Sequence, residues 1–458
     1  MIFIFPAEKN KEYTVKIEAV SSDGSGIARL GGYTVFVPNT VTGDTARILI
    51  VKTKSSYGYG KLLDIITPSE MRCEPPCPHC LKCGGCQFMA VSYPMQLELK
   101  KNFVRDAMQR IGGIVTNPDI IGADNPQRYR NKMIFPFDTE KRWGFYRTHS
   151  HDVIPLSDCL LGDRLNADIM DTVSAYMKKY SVPAYDETAH TGIIRRVFIR
   201  SAGGKFMVVI SANGTQLPHS DELIKSLRSV SDKIVSIILN INKKRTNLVL
   251  GDKNITLWGS DTLPAVLCSL KYEISPHSFF QINPVQTEKL YKTAIDFADI
   301  SPADSVMDIY CGIGTISLTA AKRAKNVIGI EIVPEAIRDA EKNAAANNIT
   351  NVEFYCSAAE DIVPELIKKG ASPNIIILDP PRKGSDTATL SAIVQAAPKR
   401  VVYVSCNPAT LARDVKFLTE NGYTPAKITA VDMFPYTTHV ETVVLLEKKC
   451  DIILYEDT

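Results

Sequence analysis

The chain has 458 residues, 53 Lys+Arg against 50 Asp+Glu, a formal net charge of +3, and 45% hydrophobic against 22% charged residues. That length suits about three domains, each burying its own core, and the balance excludes a disordered chain or a coiled coil. No run reaches the ~18–20 apolar residues of a spanning helix, which excludes an integral membrane protein.

The opening Met1-Ile2-Phe3-Ile4-Phe5-Pro6 is short and lacks a basic flank, so it reads as the first strand of a folded domain rather than a signal peptide. A cytoplasmic protein is expected. From Tyr13 to Ile66, β-rich runs (Tyr13–Ile17, Tyr33–Val37, Ala46–Val51) alternate with turns such as Ser22-Asp23-Gly24-Ser25-Gly26. This spacing predicts a small antiparallel barrel, ended by Pro68. Five of the eleven cysteines then fall together, Cys73, Cys77, Cys80, Cys83 and Cys86. Thiolates so close in a reducing compartment favour zinc or an iron–sulfur cluster over disulfides, and spacing alone does not separate the two metals. Apolar positions Met95, Leu99, Val104 and Met108 predict a helix over Tyr93–Arg110.

Between Pro126 and His151 stand Arg128, Arg130, Lys132, Lys141, Arg142 and Arg147, against Asp138 and Glu140. Tyr129, Phe135, Phe137, Trp143, Phe145 and Tyr146 interleave with them. Such a window suits single-stranded nucleic acid, which offers phosphates and base faces. It equally suits an amphipathic hairpin with its aromatics in the core. A helix is predicted after Leu160 and β-rich segments from Arg195 to Leu257. From Ser305 the pattern changes: apolar strands at Ser305–Ile309, Asn326–Ile330, Val352–Tyr355, Asn374–Leu378 and Val401–Val404 alternate with helices such as Pro334–Asn347. This predicts an α/β domain with a doubly wound parallel sheet, its last segments (Ala426–Met433, Thr442–Glu447) pairing antiparallel.

Chemistry-bearing residues sit at the ends of these strands, where open α/β sheets bind ligands. Asp308-Ile309-Tyr310-Cys311-Gly312-Ile313-Gly314 ends the first, and Gly329-Ile330-Glu331 places an acid after the second, suited to ribose hydroxyls. A nicotinamide dehydrogenase and an S-adenosylmethionine methyltransferase both fit that pair. Asp379-Pro380-Pro381-Arg382 after the fourth strand favours methyl transfer, and Arg382 in the slot where amino-methyltransferases keep an aromatic argues against exocyclic-amine chemistry. Cys406 follows the fifth strand and Glu441 opens the last. A thiolate adding to carbon 6 of uracil makes carbon 5 nucleophilic, and a base must then remove the carbon 5 proton.

Asp379 to Gly384 (D-P-P-R-x-G), Tyr403 to Thr410 (Y-x-S-C-N-x-x-T) and Asp432 to Glu441 (D-x-F-P-x-T-x-H-x-E) together resemble the RNA uracil-5-methyltransferases of the TrmA/RumA type. The resemblance implies a Rossmann-like class I methyltransferase domain at 271–458. It further implies a TRAM-like β-barrel at 1–68 and a central α+β domain at 69–270 holding the cysteine segment and an RNA-contacting region. By resemblance Cys406 is the nucleophile and Glu441 the base, and Gln281, Tyr310, Glu331 and Asp379 hold S-adenosylmethionine. Cys77, Cys83, Cys86 and Cys159 resemble the ligands of a four-iron cluster, with Cys73 and Cys80 as extra candidates. The implied substrate is a uridine of 23S ribosomal RNA, modified by a monomer with no obligate protein partner. A tRNA substrate and a non-catalytic RNA-binding protein are the alternatives.

Overall fold

A computed structural model describes residues 7–148 and 150–449; the readings made of residues 1–6 and of Cys450 lie outside the described residues. The chain divides into two compact units. One comprises residues up to Phe103 with Phe145–Ile154 and Phe434–His439; the other comprises Val104–Gly144, Pro155–Met433 and the chain from Val440.

In the first unit, Glu12–Val20, Gly26–Leu30, Tyr33–Val37, Thr45–Thr53 and Tyr57–Thr67 close into a barrel. Alternation fills it: Val15, Ile17, Val35, Val37, Ile48 and Ile50 point inward while their neighbours face solvent. The barrel departs from the all-antiparallel expectation at one pairing. Tyr33–Val37 runs parallel to Tyr57–Thr67, because the strand between them in sequence pairs on the far side of the latter. Asp44 ties the barrel to the following segment. Its carboxylate accepts the amides of Val41 (2.7 Å) and Ser69 (2.9 Å) and the Arg72 guanidinium (2.8 and 2.7 Å).

The second unit contains two larger sheets. The five-stranded one has the order Lys253–Gly259, Ile234–Ile241, Lys205–Ala212, Ile194–Ala202, Lys132–Pro136. Lys205–Ala212 and Ile234–Ile241 run parallel, which requires a crossover, and the helix Ser220–Val230 supplies it. That helix lies inside the stretch read as β-rich, and Leu223 and Leu227 are its buried residues.

The eight-stranded sheet has the order Val352–Cys356, Asn326–Glu331, Ser305–Ile309, Ile375–Leu378, Arg400–Ser405, Glu441–Lys448, Tyr423–Val431, Asp119–Ile121. Its first five strands are parallel and its sixth antiparallel to both neighbours, as the sequence pattern predicts. Ile375–Leu378 and Val401–Val404 are wholly buried, because helices cover both faces. The edge strand Asp119–Ile121, three residues long, was not legible in the sequence.

The basic and aromatic window turns out to be structural over most of its length. Tyr129, Phe135, Phe137 and Trp143 are buried, and the Trp143 indole donates to Asp171 at 2.6 Å. Arg128 makes a two-pronged pair with Asp158 (2.7 and 2.6 Å), and Arg142 pairs with Asp138 (2.7 Å). These rings therefore serve the core and are closed to a base.

Candidate active site

The parallel strands of the eight-stranded sheet end at one edge, and the turns there carry the predicted residues. The Tyr310–Gly314 turn needs left-handed backbone at three positions, Tyr310 (φ 70°), Gly312 (55°) and Gly314 (82°). Gly312 has nothing within 4 Å of where a Cβ would stand, so the turn presents bare backbone to open space. Glu331 braces it, accepting the Gly312 amide on Oε2 (3.2 Å) and the Val333 amide on Oε1 (2.9 Å). The Tyr310 hydroxyl reaches Ser385 Oγ at 3.1 Å, linking this turn to the loop after Asp379. Gln281 precedes the helix Pro284–Ala298, and its backbone carbonyl accepts the Asn131 side-chain amide at 2.9 Å.

Strand register brings the candidate catalytic pair together. Ser405 pairs with Thr442 on the adjacent antiparallel strand, so Cys406, one residue on, lies level with Glu441, one residue back. On the other flank Leu378 pairs with Tyr403, placing Asp379 beside the same end. The electrostatics agree with this placement. Burial raises the Cys406 thiol to about 11, helped by the charges of Glu441 and Asp379 and opposed by Arg382. Burial likewise raises the carboxyl of Glu441, with Asp379 adding and Arg382 opposing, and burial raises that of Asp379. Asp308 is raised to about 7, mainly by burial, against the hydroxyl of Ser317 that donates to it at 2.5 Å. Among the described residues, no hydrogen-bond partner reaches its second oxygen, Oδ1.

Asp308, Glu331, Asp379 and Glu441 stand at neighbouring strand ends and act on one another by charge, which disfavours further negative charge there. A bound cation would relieve them. A sulfonium ligand such as S-adenosylmethionine fits in charge, and the bare glycine turn with Glu331 beside it fits the ligand's nucleoside part.

The cysteine segment has little regular structure. Cys77, Cys80, Cys83 and Cys86 are half-buried and Cys73 is exposed. The Cys80 amide donates to the Cys77 carbonyl (3.3 Å) and the Cys83 amide to that of His79 (2.8 Å). Burial and the neighbouring Cys77 raise the Cys80 thiol. Cys159, in the second unit, accepts the Arg128 guanidinium on its carbonyl at 2.8 Å. Among the described residues, no three His, Cys, Asp or Glu side chains are grouped closely enough to hold a metal. The chemistry of closely spaced thiols suits a cluster.

Asp414, absent from the sequence prediction, is buried beside this site and bonds the loop after Asp379. Its signal was present: it falls on the apolar stripe of Leu411, Val415 and Leu418, where a charge has to have a partner.

Comparison with known proteins accords with this arrangement. The family described as tRNA (Uracil-5-)-methyltransferase matches residues 92–449, and the TRAM domain matches residues 6–63. An uncharacterized RNA methyltransferase of Clostridium tetani is 44% identical over 447 residues, 96% of this chain and 97% of that protein. Another, from Halalkalibacterium halodurans, is 42% identical over 451 residues, 97% of this chain and 98% of its own length. In fold, the chain is similar to the Pyrococcus abyssi tRNA (uracil-54, C5)-methyltransferase, solved in complex with S-adenosyl-L-homocysteine. The TM-score is 0.77 at 24% identity, covering 95% of this chain and 100% of that one. No helix among the described residues is long and apolar enough to cross a membrane. With its glycine turn, its level Cys406 and Glu441, and its N-terminal barrel, the chain belongs to the tRNA (uracil-5-)-methyltransferase family, the S-adenosylmethionine-dependent RNA uracil-5-methyltransferases, and carries a TRAM domain.

Proposed function

We propose that the protein methylates carbon 5 of a uridine in 23S ribosomal RNA, with Cys406 as nucleophile and Glu441 as base. The observation that carries this reading is the register that sets Cys406 level with Glu441 at the strand edge holding the glycine turn. Cys406 Sγ adds to carbon 6 of a uridine drawn out of its stack. S-adenosylmethionine, when bound, supplies the methyl group that carbon 5 takes. Glu441 then removes the carbon 5 proton, and the electrons of that bond expel Cys406 as thiolate. Burial, by raising the Glu441 carboxyl, suits it to accept and release a proton near neutrality. Gln281, Tyr310, Glu331 and Asp379 hold the methyl donor, in keeping with the turn geometry and with the crowd of acids facing a cationic sulfonium.

The ribosomal assignment rests on the resemblance of the cysteine set to that of the ribosomal-RNA branch. The barrel does not separate ribosomal from transfer RNA, because the archaeal tRNA enzyme shares the fold over 95% of this chain. Transfer of labelled methyl to purified 23S RNA and to unmodified tRNA decides between them. Methyl incorporation into tRNA alone would overturn the ribosomal reading.

We also propose a four-iron cluster on Cys77, Cys83, Cys86 and Cys159, resting on the resemblance and on soft thiolate donors in number for it. Protein purified without oxygen should be brown, with about four iron and four sulfide per chain. Stoichiometric zinc without iron would refute the cluster.

A further inference from the structure

Tyr403, Gly384 and Thr410 belong to the long motifs yet have no part in the chemistry above. Tyr403 and Gly384 lead to one buried carboxylate, and Thr410 bonds the loop that this carboxylate holds. Asp414 lies on the helix Pro408–Glu420, which begins two residues after Cys406, and is 1% exposed. Its Oδ2 accepts the Tyr403 hydroxyl (2.6 Å) and the Ser385 amide (2.9 Å), and its Oδ1 accepts Arg413 Nε (2.7 Å). Arg413 in turn donates to the carbonyls of Lys383 (3.1 Å) and Ser385 (3.2 Å). One turn earlier, Thr410 Oγ1 (3.2 Å) and Asn407 Nδ2 (3.1 Å) both donate to the carbonyl of Arg382.

Gly384 closes the arrangement. It adopts φ 79°, and a Cβ there would stand 2.5 Å from both Asp414 Oδ2 and Arg413 Nη2. The helix thus grips the backbone of Arg382, Lys383 and Ser385 with hydrogen bonds. A buried charge is expensive unless fully satisfied, and an apolar residue would pack this stripe as well. The network therefore needs a reason beyond packing. Its cargo is Arg382, whose side chain is exposed. Arg382 stands three residues after Asp379 at the strand end beside Cys406, and its carbonyl is held by Asn407, the residue after Cys406; its charge opposes those of Glu441 and Asp379 at the thiol. Arg382 is the cation among them.

We propose that Asp414 is a positioning residue: through Ser385 and Arg413 it fixes the Arg382 loop so that the guanidinium favours the thiolate of Cys406. This deepens the reading of Cys406 as nucleophile and rests on it. The Asp379–Ser385 loop and the helix after Cys406 then act as one electrostatic device, with Tyr403 and Gly384 as its fittings. Losing Asp414 frees the loop, withdraws the positive charge and leaves the thiol to its two carboxyl neighbours.

The test is the rate at which iodoacetamide alkylates Cys406 between pH 7 and 10, read by mass spectrometry of its peptide. Wild type, Asp414→Asn, Arg382→Ala and the double variant are compared. Alkylation at pH 8 should slow roughly three- to tenfold in each single variant, the loss of one nearby charge at the protein surface. The double variant should be no slower than Arg382→Ala, because both act through one guanidinium. Tyr403→Phe, which leaves the Arg413 pair intact, should slow it less. If Asp414→Asn does not fold, Tyr403→Phe and Gly384→Ala carry the same comparison. A folded Asp414→Asn protein with the wild-type alkylation profile, or slowing that multiplies in the double variant, overturns the proposal. In methyl transfer, kcat should fall in step with alkylation while KM for RNA holds within about twofold; a change in KM with alkylation unchanged also overturns it. If alkylation slows as expected and kcat does not follow, the positioning role stands and the assignment of Cys406 as nucleophile fails.

Discussion

Replacing Glu441 by Gln separates the two halves of the reaction. The substitution keeps shape and packing at a residue only 4% exposed, and removes the group assigned to take the carbon 5 proton. A positioned general base contributes ~10²–10⁴-fold, so turnover should fall by that factor, ~3–5 kcal/mol in activation free energy. Addition by Cys406 does not need that proton to leave. The variant should therefore accumulate a protein–RNA complex that survives denaturing electrophoresis, in amounts wild type never shows. Stability should move the opposite way. Folding raises the Glu441 carboxyl above its ordinary 4.5, so the unfolded chain loses its proton first as pH climbs. Below about 4.5 both states are protonated and nothing is lost; above it the folded state becomes progressively less stable until its own carboxyl ionises. The Gln variant escapes this, melting higher than wild type at pH 8 and level with it near pH 4. Turnover within threefold of wild type, or slow turnover without a trapped complex, would refute Glu441 as the base.

Asp44→Asn should loosen the barrel by ~3–5 kcal/mol, because it leaves the Arg72 guanidinium without its carboxylate; faster hydrogen exchange at Ile48 and Ile50 checks this. Burial pushes the Asp44 carboxyl up, but Arg72 and the Val41 and Ser69 amides outweigh it and hold it below 3.8. Its contribution is thus present above about pH 4 and lost as pH falls through the lowered value, so acid should flatten the difference between variant and wild type. Gly314→Val meets Phe354 Cζ at 3.1 Å and Ala340 Cβ at 3.3 Å in left-handed backbone. At ~1–2 kcal/mol of strain it should weaken S-adenosylhomocysteine binding about tenfold by calorimetry, and unchanged affinity would remove the turn from the ligand site.

The strands and the candidate residues at their ends were legible because they depend on short-range order. Parallel strands buried on both faces read as unbroken apolar runs, and each run is followed directly by its motif, as in Val401–Val404 before Cys406. Helix Tyr93–Arg110 was recovered with its ends. What escaped depends on partners distant in sequence. The edge strand Asp119–Ile121 is defined only by its pairing with Thr429–Val431, some three hundred residues on. The aromatic window misled in the same way: Trp143 looks available to a base until Phe135 and Asp171 close around it. Asp414 is a charge on an apolar stripe, and its meaning appears only once the Ser385 loop folds back onto it. Local pattern places the candidate reacting groups, whereas the partners of a buried charge such as Asp414 are found in tertiary contacts.

The claim on which the account stands is that Cys406 bonds to carbon 6 of the target uridine. RNA carrying 5-fluorouridine tests it most directly, since fluorine cannot leave as a proton and the adduct persists after methyl transfer. Incubated with S-adenosylmethionine and digested, the protein should yield one nucleotide-bearing peptide, containing Cys406, and none when the methyl donor is left out. An adduct on any other cysteine, or no adduct from an enzyme that methylates ordinary RNA, would contradict the mechanism.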